Sequence, residues 1–296
     1  MKNVLITCAT GYIGSNLIPK LIEKYNVHII IRKSSNLSPI EKYLNSIKTY
    51  YYDGSYDSIR NAVKSSQPDV TIHLATYFVS QHTWKDIEGI VESNIKFGLY
   101  ILEALKEFGY RNFINTGTYW QHFNSSEYDP VNLYAASKEA FHDMIKYYES
   151  VHNFSVLTLL LSDVYGPNDK RPKIVNLIKD AVKTGKELKL SEGKQYLDLI
   201  YIDDVVEAYT SCIGKIVSGI RLTGEYTLTS GEPITLQELV YKFSVISGAN
   251  LSNIKFGELP YRIREIFEPI KFGCSLPFWR PKTRLEEGLR RVMEDE

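Results

Sequence analysis

Cysteine is scarce in this chain. Cys8, Cys212 and Cys274 are the only three in 296 residues, far apart and without C-x-x-C spacing. That excludes a disulfide framework and leaves no zinc signature, so no metal is expected and a reducing cytoplasm is the expected compartment. Net charge is lacking too, with 35 Lys+Arg against 35 Asp+Glu. No global field steers such a chain to nucleic acid or an anionic membrane, and neither is expected as a partner; a local basic pocket for phosphate stays open. No apolar run reaches the roughly 18 residues of a membrane span. The start, MKNVLITCATGYIG, has no signal-peptide core or cleavage site.

What is present is enough apolar material for a sizeable core, 44% of residues, in a length that allows one large domain or two coupled ones. Residues 3–7, 27–31, 70–75, 113–116 and 155–161 read as strands. Helical patterns lie between them at 13–25, 87–108 and from about Asn132. Strands alternating with helices predict an α/β fold, a Rossmann-type doubly wound parallel sheet, with ligands at the carboxyl ends of the strands. After about residue 165 breakers multiply. The expected organisation is a dinucleotide-binding domain over 1–165, with 196–220 returning to it, and a smaller C-terminal substrate lobe from 166–195 and 221–296.

The first strand runs into Thr7-Cys8-Ala9-Thr10-Gly11-Tyr12-Ile13-Gly14 and then a helix. A glycine turn there lets the backbone N–H groups of Thr10, Gly11, Tyr12, Ile13 and Gly14 approach a pyrophosphate at a helix N-terminus. The second strand ends in Arg32-Lys33-Ser34-Ser35, not in the acidic residue that would bind a ribose 2′-hydroxyl. Two cations and two hydroxyls suit a 2′-phosphate, so NADP(H) is favoured, with NAD(H) the alternative. Tyr134 and Lys138 form a Y-x-x-x-K pair, one turn apart on a helix face. A tyrosine near pKa of about 10 is a poor acid–base group at neutral pH, and a nearby ammonium would favour its tyrosinate.

TCATGYIG resembles the TGATGFIG of the extended short-chain dehydrogenases/reductases, the NAD-dependent epimerase/dehydratase family, with Cys8 where the first glycine is usual. If that position needs positive φ, Cys8 strains the turn. The resemblance implies Tyr134 as the proton-transfer residue and Lys138 as its partner and a ligand of the nicotinamide ribose. It implies a catalytic hydroxyl at a strand end, Thr116, with Thr118 as the fallback. Leu74 and Ala75, in His73-Leu74-Ala75-Thr76, would line the cofactor, with His73 a core residue. Asn94 would tie its helix to neighbouring backbone. Asp53 stands where the family often has an Asp near the adenine, or is a turn residue. Gly117 and Thr118 replace the Asp-Glu of the family's dehydratases, which disfavours dehydration.

On the substrate side, Leu161-Ser162-Asp163-Val164-Tyr165-Gly166-Pro167 resembles a family loop that carries Asn in place of Asp163. The Arg that commonly grips the substrate's diphosphate is Leu197 here, so Arg171, Lys173 and Arg262 are the replacement candidates, with Arg262 favoured because Pro260-Tyr261-Arg262 resembles a family segment near the diphosphate. Trp120, Gln121 and His122 contact the sugar, or Trp120 packs in the core. Within the family the chain is similar to nucleotide-sugar 4-ketoreductases of the CDP-abequose/CDP-paratose synthase type. The implied reaction is NADPH-dependent reduction of a 4-keto-6-deoxy, or 3,6-dideoxy, hexose in deoxysugar and surface-polysaccharide (lipopolysaccharide) synthesis. The alternative is a 4-epimerase with tightly bound NAD. A silent NADP-binding regulator conflicts with the intact Y-x-x-x-K pair. A homodimer through the helices at 88–108 and 132–150 is the implied assembly.

Overall fold

A computed structural model describes residues 1–123, 127–269 and 272–295. In chain order the first half runs β1 (Asn3–Thr7), α1 (Tyr12–Leu21), β2 (Asn26–Arg32), β3 (Ile47–Tyr52), α2 (Tyr56–Ser66) and β4 (Val70–His73). It continues with α3 (Ile87–Val91), a π-helical turn (Glu92–Lys96), α4 (Phe97–Phe108), β5 (Asn112–Thr118) and α5 (Leu133–His152). The second half runs β6 (Ser155–Leu161), β7 (Asp163–Tyr165), α6 (Ile174–Thr184), β8 (Leu188–Lys189), β9 (Tyr196–Leu197), β10 (Leu199–Tyr201) and α7 (Ile202–Val217). It closes with β11 (Gly224–Leu228), β12 (Ile234–Thr235), α8 (Leu236–Ser247), β13 (Ile254–Lys255) and α9 (Leu285–Glu294).

Seven strands form one sheet in the order β11-β6-β5-β4-β1-β2-β3, every pair parallel. Such strands are covered on both faces, so consecutive residues feed two cores. Val4, Ile6, Ile29, Ile31, Ile114, Leu157 and Leu159 point to one core, with Leu17, Ile18 and Leu21 of α1 and Val205, Tyr209 and Ile213 of α7. Leu5, Ile30, Phe113 and Val156 point to the other, with α2, α4 and α5. The first core continues into Ile178 of α6, Leu239 of α8, Leu289 of α9 and Trp279, so the C-terminal segments share it with the sheet.

The strand order turns outward from β1 and β4, which places a crevice at their carboxyl ends. Two elements differ from the sequence reading. Residues 47–66 contain a strand and a helix that the sequence pattern does not announce, and residues 224–228, expected in the smaller lobe, are the edge strand beside β6. The expected 87–108 helix is continuous but carries the π turn. No helix among the described residues is long and apolar enough to cross a membrane, and they contain no cluster of metal-ligating side chains.

Candidate active site

Glycine at 14 is a steric requirement. A Cβ there would lie 2.5 Å from the Cys8 carbonyl oxygen and 2.7 Å from Ala9 Cα, both backbone. The close packing of β1 against α1 needs a bare Cα, which also leaves a shallow cradle over the helix N-terminus. Gly11 is the N-cap of α1 with no side-chain cap, so its first N–H groups remain available to an anion. The left-handed residue is Cys8, at φ 55°. Of the two possibilities the sequence left open for Cys8, the positive-φ one is what the turn has, so the position strains its side chain.

Thr7 locks the crossing of β1 and β4. Its hydroxyl accepts the N–H groups of Leu74 and Ala75, each at 3.1 Å, and sits 3.2 Å from His73 Nδ1. His73 is fully buried, and loss of solvent, followed by the Lys138 charge, pulls its pKa down to about 3, so it is a neutral core ring. Asn94, in the π turn, accepts from Thr76 Oγ1 and the Tyr77 N–H and donates to the Tyr77 carbonyl and to Ser137 Oγ on α5. It fastens the loop after β4 to the helix carrying the Tyr-Lys pair.

That helix starts where Asn132 caps it, its side chain accepting the Ala135 N–H at 2.9 Å. Tyr134 and Lys138 follow one turn apart, 8% and 2% exposed. Burial pushes the Tyr134 phenol up to about 12, against a lowering hydrogen bond from Thr76, with Asp163 raising it further. Burial pulls the Lys138 ammonium down to about 8. Without a cofactor, loss of water is the largest influence on Tyr134, ahead of the Thr76 hydrogen bond, and the phenol keeps its proton at neutral pH. Thr116 and Thr118 both line the same cavity. The Thr116 hydroxyl shares a 2.6 Å hydrogen bond with Tyr209 of α7, while Thr118 Oγ1 accepts the Trp120 N–H at 3.3 Å, capping its own turn.

The cavity, of about 470 Å³, runs from Cys8, Gly11, Tyr12, Ile13 and Gly14 past Leu74, Thr76 and Phe78 to Thr116, Thr118, Tyr119, Trp120 and Tyr134. Asp163, Arg171 and Lys173 close its far side. Phe78 stands edge-on to Tyr134 at 4.9 Å and 5.9 Å from Trp120. A second cavity, of about 120 Å³, continues past Cys8 and Thr10 to Arg32, Ser35, Tyr52, Ala75, Glu92 and Phe97. Lys33 and Ser34 are exposed beyond the end of β2, beside Arg32. Asp53 is exposed and turned onto Ser55, whose N–H and hydroxyl it accepts at 2.9 and 2.6 Å. Its place is a turn, and it does not line either cavity.

The three cations proposed for a diphosphate differ in freedom. Arg171 also lines the main cavity, chelated by the buried Asp169 carboxylate at 2.7 and 2.8 Å and stacked 4.6 Å from the Tyr12 ring. Arg262 pairs with buried Glu265 at 2.5 Å and covers the Trp120 ring at 5.0 Å, but it lines a separate cavity with Phe123 and Ile263. Lys173 lies in the main cavity, 4.5 Å over Phe78, its ammonium 3.1 Å from Asp163. Asp163 also accepts from Tyr119 at 2.9 Å. The amide lost by having Asp at 163 is thereby replaced by a lysine donor. Phe78 and Tyr209 join the site without having been singled out by any sequence pattern. Tyr209 sits 93 residues from Thr116, and nothing local marks that pairing.

The NAD dependent epimerase/dehydratase family model matches residues 4–221. CDP-abequose synthase of Yersinia pseudotuberculosis is 36% identical over 273 residues, covering 90% of this chain and 91% of that protein. CDP-abequose synthase of Salmonella typhimurium is 25% identical, covering 98% and 97%. Two solved structures share the fold. UDP-glucose 4-epimerase of Thermus thermophilus, in complex with NAD, has a TM-score of 0.83 at 22% identity over 99% of this chain and 98% of that one. UDP-glucuronic acid 4-epimerase of Bacillus cereus has a TM-score of 0.85 at 22% identity over 99% and 98%. With a glycine turn, a buried Tyr-Lys helix and a sheet-end cavity joining them, this chain belongs to the NAD-dependent epimerase/dehydratase family.

Proposed function

We propose that this protein reduces the C4 keto group of a nucleotide-linked 4-keto-6-deoxy or 3,6-dideoxy hexose, using NADPH. The observation that carries this is the 36% identity to a CDP-abequose synthase across 90% of the chain. The site's chemistry agrees with it, because burial keeps Tyr134 protonated, as a donor to a new alkoxide must be.

The cradle at Gly14, the uncapped N-terminus of α1 and the second cavity fit a dinucleotide. Thr10, Gly11, Tyr12, Ile13 and Gly14 would hold the diphosphate, Leu74 and Ala75 line the cofactor, and Arg32, Lys33, Ser34 and Ser35 meet a 2′-phosphate. NADPH supplies the hydride. Tyr134 hands its proton to the C4 oxygen, Thr116 hydrogen-bonds that oxygen, and Lys138 carries a positive charge beneath it. Thr118, Trp120 and Phe78 form the wall for the sugar ring. Lys173 is the cation we favour for the substrate's phosphates, ahead of Arg171 and Arg262. Asp163 orients it.

The fragments 1–165 and 196–220 are read as the dinucleotide-binding part, now with β11, and 166–195 with the remaining C-terminal segments as the substrate lobe. A cytoplasmic homodimer through α4 and α5 completes the reading; Met144, Tyr147 and Val151 are exposed on α5.

Assay of a panel of CDP-, dTDP-, GDP- and UDP-linked 4-keto sugars with NADPH and NADH tests this. NADPH consumption with one of them is expected, and Tyr134→Phe is expected to retain cofactor binding while turnover falls by roughly 10²-fold or more. No consumption with any member overturns the reading. Tightly bound NAD in the purified protein would make it an epimerase instead.

A further inference from the structure

Behind the wall of the main cavity lies a chain of four polar side chains that the proposed chemistry does not use. Gln121 is fully buried and closes the short turn Tyr119–Gln121 that follows β5. Its Oε1 accepts the Thr118 N–H at 2.9 Å, and its Nε2 donates to the Glu139 carboxylate. The amide folds tightly over Gly117, where a Cβ would meet Gln121 Oε1 at 2.8 Å. Glu139 is the residue after Lys138 on α5 and does not line the cavity. Its second oxygen faces His142 Nδ1 at 3.7 Å, and the same nitrogen lies 3.2 Å from Glu225 on the edge strand β11. The side chains of His142 and Glu139 are 14% and 12% exposed.

We propose that Gln121 and Glu139 are positioning residues for the reaction at Tyr134: the Glu139 carboxylate orients the Gln121 amide, the amide sets the Thr118–Gln121 turn, and His142 with Glu225 holds Glu139 in place. The orientation has a chemical cause. An ionised carboxylate only accepts hydrogen bonds, so it draws the amide NH₂ and leaves the amide oxygen for the Thr118 N–H. Without that constraint a flipped amide would put NH₂ against N–H. The turn carries Thr118, Tyr119 and Trp120, three residues of the cavity wall. Displacing a wall by an ångström or so is enough to misorient a sugar C4 relative to Tyr134.

Several charges surround His142. Glu139 and Glu225 face it from α5 and β11, Lys146 and Glu149 lie further along α5, and Arg221 is near Glu149. Burial pulls the imidazole pKa down, but the two carboxylates outweigh it and the net shift is upward. Glu139 is held below the ordinary carboxylate range by the neighbouring His142 and then by the Gln121 amide. The brace is therefore complete while His142 is cationic, and it loosens as pH rises through the His142 titration and leaves two carboxylates without the cation between them.

The inference rests on the reductase reading only in its kinetic arm. The deciding arm is ¹⁹F NMR of the NADP(H)-saturated protein labelled with 5-fluorotryptophan. Trp84, Trp120 and Trp279 give three signals, and Trp120→Phe assigns the one of interest. In the native protein the Trp120 signal is expected to move with pH along the His142 titration. Glu139→Ala is expected to shift or broaden it and abolish that pH response, leaving the Trp279 signal and NADP(H) affinity unchanged. Glu139→Gln keeps an acceptor for the Gln121 amide, so it is expected to restore the signal near neutral pH but not its pH response. With a substrate in hand, kcat should drop roughly tenfold in Glu139→Ala and recover in Glu139→Gln, with little change in KM for NADPH. A Trp120 signal indifferent to Glu139→Ala overturns the proposal, as does an equal disturbance of Trp120 and Trp279. Both outcomes can be read even when no sugar of the panel is turned over.

Discussion

Cys8 holds a backbone conformation that L-residues avoid, at a cost of about 1–2 kcal/mol. Its unbranched side chain makes the position tolerable, because a second γ-atom would press on the following carbonyl. Cys8→Gly should leave stability within about 1 kcal/mol, since relieved strain is offset by the entropy of a freer unfolded chain. Cys8→Val should cost about 2 kcal/mol. Urea unfolding of the two variants checks the pair. Lys138 has a related tension. Its folded pKa of about 8 lies below the ordinary 10.5, so between those values the unfolded chain binds more protons. Stability of the cofactor-free protein should therefore rise as pH goes from about 8 upward, and the buried charge costs about 3 kcal/mol near neutral pH. Lys138→Met should raise the melting temperature at pH of about 7 and flatten its pH dependence, while abolishing turnover. Calorimetry across the pH range reads both effects.

At the scale of elements, the π turn Glu92–Lys96 is a departure from regular helix with a visible use. One extra residue in the turn delivers Asn94 to Tyr77, Thr76 and Ser137 at once. Asn94→Ala would leave the Tyr77 N–H and carbonyl without these partners inside the protein. A loss of about 3 kcal/mol is expected. The Tyr77 amide should lose hydrogen-exchange protection before the strands do. The sequence shows that Asn94 belongs to this helix but not that the helix bulges. Likewise 47–52, IKTYYY, hides in the sequence because three successive tyrosines mask the alternation, although Tyr51 is exposed while Ile47 and Tyr52 are buried. Residues 224–228 read as part of the smaller lobe, and only pairing with β6 places them in the sheet.

Over the whole molecule, the C-terminal segments are fastened to the sheet through Asp204, near the start of α7. Its carboxylate accepts the N–H groups of Lys282 and Thr283 at 3.0 and 3.1 Å, and its carbonyl accepts Trp279 Nε1 at 3.0 Å. A carboxylate in a first helical turn is also favoured by the helix dipole. Asp204→Asn would turn one acceptor into a donor facing an N–H. Stability should drop by about 2 kcal/mol, and limited proteolysis should release the segment after residue 276 ahead of the sheet. The main cavity likewise draws on distant stretches of chain, with Trp120 from the turn after β5 and Lys173 from the start of α6.

The alternation of apolar strands with helices, the glycine turn, the hydroxyls after β5 and the Tyr134–Lys138 spacing were all legible in the order of residues. Each is a local pattern in which neighbours in sequence share a face or a turn. Burial decided the rest. Only a folded interior could show that Tyr134 is raised and Lys138 lowered, that Asp169 holds Arg171 and Asp163 holds Lys173 at the far side of one cavity, and that Gln121 leans on Glu139. Those properties depend on which groups water leaves and which distant charges replace it, and that is set by tertiary packing.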